Sequence, residues 1–586
     1  MGQHAEMWSG MKWSGFRAPV LALSALGMGG CVIMPANSAW SASMLEELRT
    51  QQAYADFISA RYAGMVGDSE AAATFYRRAY VSSPDDGGLL ERAAIATLAS
   101  GDIDGAITLA KSARSRAAED APSVQLALII DDIENGRVPS AKTRLQKPAL
   151  GALNLDLAGF LSAWLTAAGD PVRGAAEVDA LPGRRMIAGE QASLKALVLM
   201  QGGKDDEALQ SFRVALHLPL ATRDAVAALG ARLQASRGDT QGARELIALG
   251  ATDGEPGAGA AALLADIDAG KKITRPKLST RQGAALTIYI ASGTGLVRSS
   301  PDLSAMRHAM VLHLDPGLAA ASLTLAEAFD RQERSDDALA VLRAVPAKSA
   351  WAADARMAEA TILNREERTG EVLVAAEQAL SLSRRREMLL QAGDLYRVND
   401  RVDLARKLYD EVIAADEARG VVDWRVLFAR SSVRSEAGDW AGAEADLQAA
   451  IAVEPDRPEL LNFLGYAWVN RGERVQEGLT LIQRAADARP DQGYIVDSLG
   501  WAYFKLGQMD KAIEYLERAA ELSPTDAEVI DHLGDAYWQG GRTIEARFEW
   551  AAALTLKPDP AREASLHGKL DKGLPAAPGA SLASRP

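Results

Sequence analysis

From about residue 44 to about residue 565, apolar residues return every three to four positions, with almost no stretch in which β-branched and polar residues alternate. That spacing predicts helices throughout. Between the amphipathic stretches stand Gly and Pro at regular intervals. In residues 493–524 the marks are Gly500, Gly507, Ala512, Ala519 and Pro524. They recur 34 residues later as Gly534, Gly541, Ala546, Ala553 and Pro558. One repeat earlier stand Gly465, Gly472, Gly478, Ala485 and Pro490, and earlier still Gly438, Ala443, Ala450 and Pro455. Small residues at fixed places allow two antiparallel helices to approach closely, and the proline stops the second helix.

This pattern resembles the tetratricopeptide repeat, two helices per 34 residues, stacked because one repeat cannot bury its own apolar face. The expected fold is an all-α superhelical solenoid of roughly 12–14 hairpins. The expected organisation is an N-terminal solenoid over 44–250, degenerate repeats over 284–423, and regular repeats at 424–457, 458–492, 493–526 and 527–560. Between the first two lies 251–283, rich in Gly and Pro and carrying Lys271, Lys272, Arg275, Lys277 and Arg281, which reads as a hinge. Residues 561–586 read as an extension ending in a disordered tail.

The first 43 residues follow another logic. Lys12 and Arg17 precede an apolar run from Ala18 to Met28, the layout of a secretory signal over 1–30, with Met11 the better initiator. The run is too short to span a bilayer. It ends in Met-Gly-Gly-Cys, which resembles the lipobox of bacterial lipoproteins, so Cys31 is the expected lipidation site and 31–43 a short tether. Two cuts stay open. Cleavage before Cys31 gives a protein anchored in the outer membrane and facing the periplasm. Cleavage after Ser41, in Ala39-Trp40-Ser41, gives a soluble periplasmic or secreted one.

Charge and chemistry narrow the function. A net charge of -14 disfavours a protein that tracks phosphates. With one cysteine there is neither an internal disulfide nor a thiolate metal cluster, and the six histidines form no zinc-protease pair. Acidic pairs such as Asp131-Asp132 and Asp336-Asp337 suit helix starts or polar faces. No phosphate loop or nucleophile elbow occurs. The expectation is a non-catalytic binding protein with no cofactor, metal, nucleic acid or small-molecule substrate. An enzyme hidden in residues 150–320, using His308 and His313, is a distant alternative.

In the tetratricopeptide family the groove is lined by the first helix of each repeat. Carried onto this sequence, that implies Asn462, Tyr466 and Asn470; Tyr494, Asp497, Trp501 and Lys505; and Asp531, Asp535 and Trp538 as a peptide-binding groove. Aromatic rings among amides and carboxylates suit an extended peptide, though Trp501 and Trp538 also suit plain packing. Residues 462–519 and 532–554, with 305–346, further resemble proteobacterial outer-membrane tetratricopeptide lipoproteins. One function in that group is the lipoprotein partner of a periplasmic carboxy-terminal processing protease, to which it brings peptidoglycan hydrolases. The resemblance implies protein partners and a membrane attachment. An assembly or export factor for envelope polymers or outer-membrane proteins is the alternative.

Overall fold

A computed structural model describes residues 42–146, 155–181, 187–252 and 254–575. The signal segment, Cys31, the cut after Ser41 and the tail from 576 lie outside them. The chain is 77% helical, with 32 helices and no strand among the described residues, as the helical periodicity predicts. It divides into two compact units at Arg384/Arg385 rather than at 251–283.

In the N-terminal unit, helices pair into hairpins, beginning with Ala42–Met65 against Ser69–Ser82. The first helices of successive hairpins include Gly87–Ala99, Pro122–Glu134, Leu155–Ala167 and Ala188–Gln201. Against this row lie two later helices, Thr280–Ala291 and Pro301–Leu314. The sequence explains why they go inside. Gly283 to Ala291 and Ser304 to Val311 are buried without a break; the first run is apolar nearly all round and has no face to offer water, while the second buries Arg307 and His308, which bond Ala291 O and Ser304 O. Trp164 is fully buried, its ring against Gly283, and its Nε1 donates to Thr280 O at 2.9 Å. Phe329 packs on Gly101, and Arg334 stacks on Phe329 while donating to Ser100 O at 2.9 Å.

The supposed hinge is therefore a pinned connection. It contains helix Ala258–Asp268 and an extended run that Arg275 holds to Asp205 Oδ1 at 2.8 Å and to Met200 O. Arg281 donates to Leu314 O and His313 O at 2.5 and 2.6 Å, and Lys271 pairs with Asp266. Gly and Pro mark a break in periodicity; they do not say whether the break is loose. Asp131 and Asp132 also depart from the expected polar surface. They lie buried near the end of Pro122–Glu134 and pair with Lys111, Arg137 and Arg144. Burial alone would push Asp132 up, but bonds from Ser140, Arg137 and Arg144 hold it below the usual carboxylate range.

His308 and His313 do not form a site. His308 is buried, with Nδ1 donating to Ser304 O at 2.8 Å and its ring edge-on to Tyr289, whereas His313 bonds Glu134 at 3.0 Å. Burial pushes His308 down to about 4. The folded unit thus binds fewer protons there than the unfolded chain, so its stability is lost as pH falls from about 6.5 towards 4. The expected loss is about 3 kcal/mol at pH 4, removed in His308→Gln, and measurable by hydrogen exchange of the amides of 280–314.

In the C-terminal unit, helices pair from Arg386–Val398 to Thr543–Thr555, and Pro560–Lys572 follows. Here the marked small residues explain themselves. At Gly534 an added Cβ would lie 2.5 Å from the Trp550 ring, and Gly541 turns the chain between the two helices at φ 84°. Asp526 and Asp559 cap Ala527–Gln539 and Pro560–Lys572, each taking two backbone N–H groups. The predicted C-terminal extension is thus largely a capped helix, and the predicted tether gives way to helix from Ala42.

Candidate functional site

The predicted groove residues separate into two sets. Asp497, Trp501, Asp531 and Asp535 are buried; the three carboxylates are already partnered inside the unit, and Trp501 is stacked there although its Nε1 has no acceptor. Asp497 accepts from His532 Nδ1 at 3.0 Å, and Trp501 stacks between His532 and Phe504, with ring centroids 4.0 and 4.7 Å away. Asp531 accepts from Lys569 at 2.6 Å and Arg562 at 3.2 Å. Asp535 accepts from Trp550 Nε1 at 3.0 Å and pairs with Lys569 at 2.7 Å. Trp538 is half-buried, tilted against Trp550, and donates to Leu574 O at 3.0 Å.

These residues therefore join each first helix to the next, and the expectation that they face a peptide is corrected. The physical reason is the helix Pro560–Lys572, which supplies cations to two carboxylates that would otherwise be costly to bury. Sequence reasoning missed this helix, although its signal was present. Gly568 stands 34 residues after Gly534, as Gly534 does after Gly500, so the repeat mark continues past 560, and Arg562 of this helix pairs with Glu528 at 3.2 Å.

The second set remains accessible. Asn470 and Lys505 are exposed, and Tyr466 and Tyr494 half-buried. Tyr466 donates to Glu528 Oε1 at 3.1 Å, two repeats ahead. Lys505 lies over the Trp501 ring at 4.9 Å. Asn462 is buried, and its Oδ1 has no partner. Tyr466 and Asn470 line a cleft of about 290 Å³ with Ser435, Gly438, Trp440 and Phe463, at the end of Trp424–Glu436 and along Pro458–Arg471. Arg471 covers the Trp440 ring at 5.2 Å, and the Trp440 Nε1, itself buried, has no acceptor.

The unmet indole donor is costly to leave buried, and the aromatic rings beside it give the cleft an apolar wall for a partner's side chains. The exposed Asn470 amide beside it can both donate and accept. This arrangement can hold a strand of backbone.

Comparison with known proteins bears on this segment. Two tetratricopeptide repeat profiles match residues 428–493 and 498–526. A TPR repeat-containing protein of Pseudomonas aeruginosa is 38% identical over 94 residues, which are 16% of this chain and 16% of that relative's length. Among solved structures, a tetratricopeptide repeat protein from Parabacteroides merdae is 16% identical at a TM-score of 0.38, covering 43% of this chain and 97% of its own. The Cut9–Hcn1 hetero-tetramer of the APC/C is 15% identical at 0.36, covering 91% and 98%. Residues 428–493 and 498–526 of this chain carry tetratricopeptide repeats.

Proposed function

We propose that this chain is a non-catalytic scaffold that grips an extended segment of a protein partner in the cleft between Trp440 and Asn470. Tetratricopeptide repeats generally bind proteins, and the observation that carries the reading here is the cleft itself, where the rings of Trp440, Phe463 and Tyr466 stand beside the exposed Asn470 amide. Lipid on Cys31 would hold the scaffold at the outer membrane, facing the periplasm. In its most concrete form the partner is a periplasmic carboxy-terminal processing protease together with peptidoglycan hydrolases. That form rests on the sequence resemblance.

The test is affinity purification from detergent-solubilised envelopes with mass spectrometry. Wild type should recover a protease or hydrolase, and Trp440→Phe/Asn470→Ala should recover it about tenfold less, the loss of one buried hydrogen bond and one surface contact. Equal recovery by wild type and variant would remove the cleft from the function. Recovery of neither enzyme class would end the adaptor reading. Cys31→Ser run in parallel tests the anchor, because it should leave the protein in the soluble fraction.

A further inference from the structure

The first helix, Ala42–Met65, buries Ala53, Asp56, Ala60 and Ala63 on one face. Its other face is exposed and apolar in a way nothing inside the unit requires. Tyr54, Ile58, Tyr62 and Met65 follow one another at helical spacing and are 69, 47, 68 and 81% exposed, with Val66 beyond them at 60%. The charges of residues 51–66 are two. Asp56 is turned inward and pairs with Arg78 at 3.1 Å, which leaves Arg61 as the charge among the exposed residues.

We infer that the stripe Tyr54–Ile58–Tyr62–Met65 docks this helix onto the headgroup layer of a phospholipid bilayer. The inference rests on the reading of Cys31 as the membrane anchor. Ten residues, 32–41, separate Cys31 from the helix, so the helix begins within about 35 Å of the anchored residue and Tyr54 lies about 18 Å further along it. A tether that short makes contact effectively intramolecular, so a weak surface suffices. The composition fits the site: tyrosines place an apolar ring in the acyl boundary and a hydroxyl among the headgroups, and an exposed arginine without a carboxylate suits an anionic leaflet. A helix lying in this way would bring the N-terminal unit against the membrane along a defined side instead of leaving it free at the end of a leash.

The single cysteine makes the test independent of what the cell does to it. The full chain is coupled through Cys31 to phosphatidylethanolamine–phosphatidylglycerol vesicles carrying a maleimide lipid, and hydroxyl-radical footprinting is compared with the uncoupled chain. Oxidation of Tyr54, Tyr62 and Met65 should slow about fivefold or more on coupling, as for an amphipathic helix in the interface, while Phe548, equally exposed in the other unit, is unchanged. In Tyr54→Ser/Ile58→Ser/Tyr62→Ser, Met65 should keep its solution rate although coupling is intact. Unchanged rates in the coupled wild type overturn the proposal, as does slowing in free chain that grows with protein concentration, which would assign the stripe to a second copy. Metabolic labelling of Cys31 with palmitate reads the anchor separately, so its failure is distinguishable from failure of docking.

Discussion

Trp164→Ala should destabilise the N-terminal unit by about 3–5 kcal/mol, the range for removing a large ring from a closed core. The ring has no exposed surface, and it carries the contact between Leu155–Ala167 and the inner helix Thr280–Ala291. Gly283 makes the claim sharper. A Cβ there would sit 1.7 Å from Trp164 Cζ2, so Gly283→Ala in the wild-type background should also destabilise strongly, since neither the indole nor the helix backbone has room to move. In the Trp164→Ala background the same change should become neutral or mildly stabilising, because alanine gains roughly 1 kcal/mol over glycine inside a helix once the clash is gone. That reversal of sign is a coupling that only direct contact produces. Hydrogen exchange of the amides of 280–314 in the four proteins measures it. Additive effects would mean that the two residues do not touch.

Asp497→Ala should cost the C-terminal unit a comparable amount, about 3–5 kcal/mol, by removing the one carboxylate that bonds the buried His532 ring directly at 3.0 Å and leaving it the more distant Glu528 and Asp531. Burial alone would push His532 down; the Asp497 carboxylate overrides it and holds His532 above its usual range, with Glu528 and Asp531 adding to the pull. Asp497 itself is pushed up by burial. Both shifts mean that the folded unit keeps protons which the unfolded chain releases. Its stability is therefore expected to fall as pH rises from about 6.5 through the raised histidine range. In Asp497→Asn that alkaline slope should vanish. The N-terminal unit behaves oppositely, losing stability in acid through His308, so exchange rates of 280–314 and 493–539 should cross as pH is scanned. Parallel slopes would show that one of the two histidines is not in the state described.

Much of the fold is legible in the sequence because helices declare themselves locally. The recurrence of Gly500 and Ala512 as Gly534 and Ala546 needs no knowledge of distant contacts, for each pair solves the same close approach between adjacent helices. The groove is less legible. Positions 497, 531 and 535 have the same register as residues that can face a ligand, and only the neighbouring helix shows whether a carboxylate there meets a partner or Lys569. Cleft residues Trp440 and Phe463 escaped notice for the converse reason. An aromatic residue looks like core until the structure shows its ring lining a cleft.

By itself the sequence determined the helical class and the repeat pattern of the segment after 424, which depend on neighbours within one or two turns; Cys31 stays a proposal read from a short linear signal. Only the tertiary structure decided that 251–283 is a pinned crossing, that Thr280–Ala291 and Pro301–Leu314 fill the N-terminal unit, and that the last carboxylates are neutralised by Pro560–Lys572. Those outcomes depend on residues tens to hundreds of positions apart, as with Trp164 and Thr280, 116 residues apart, whose meeting no local pattern encodes. Burial of one face specifies a helix; which surface buries it is settled by the rest of the chain.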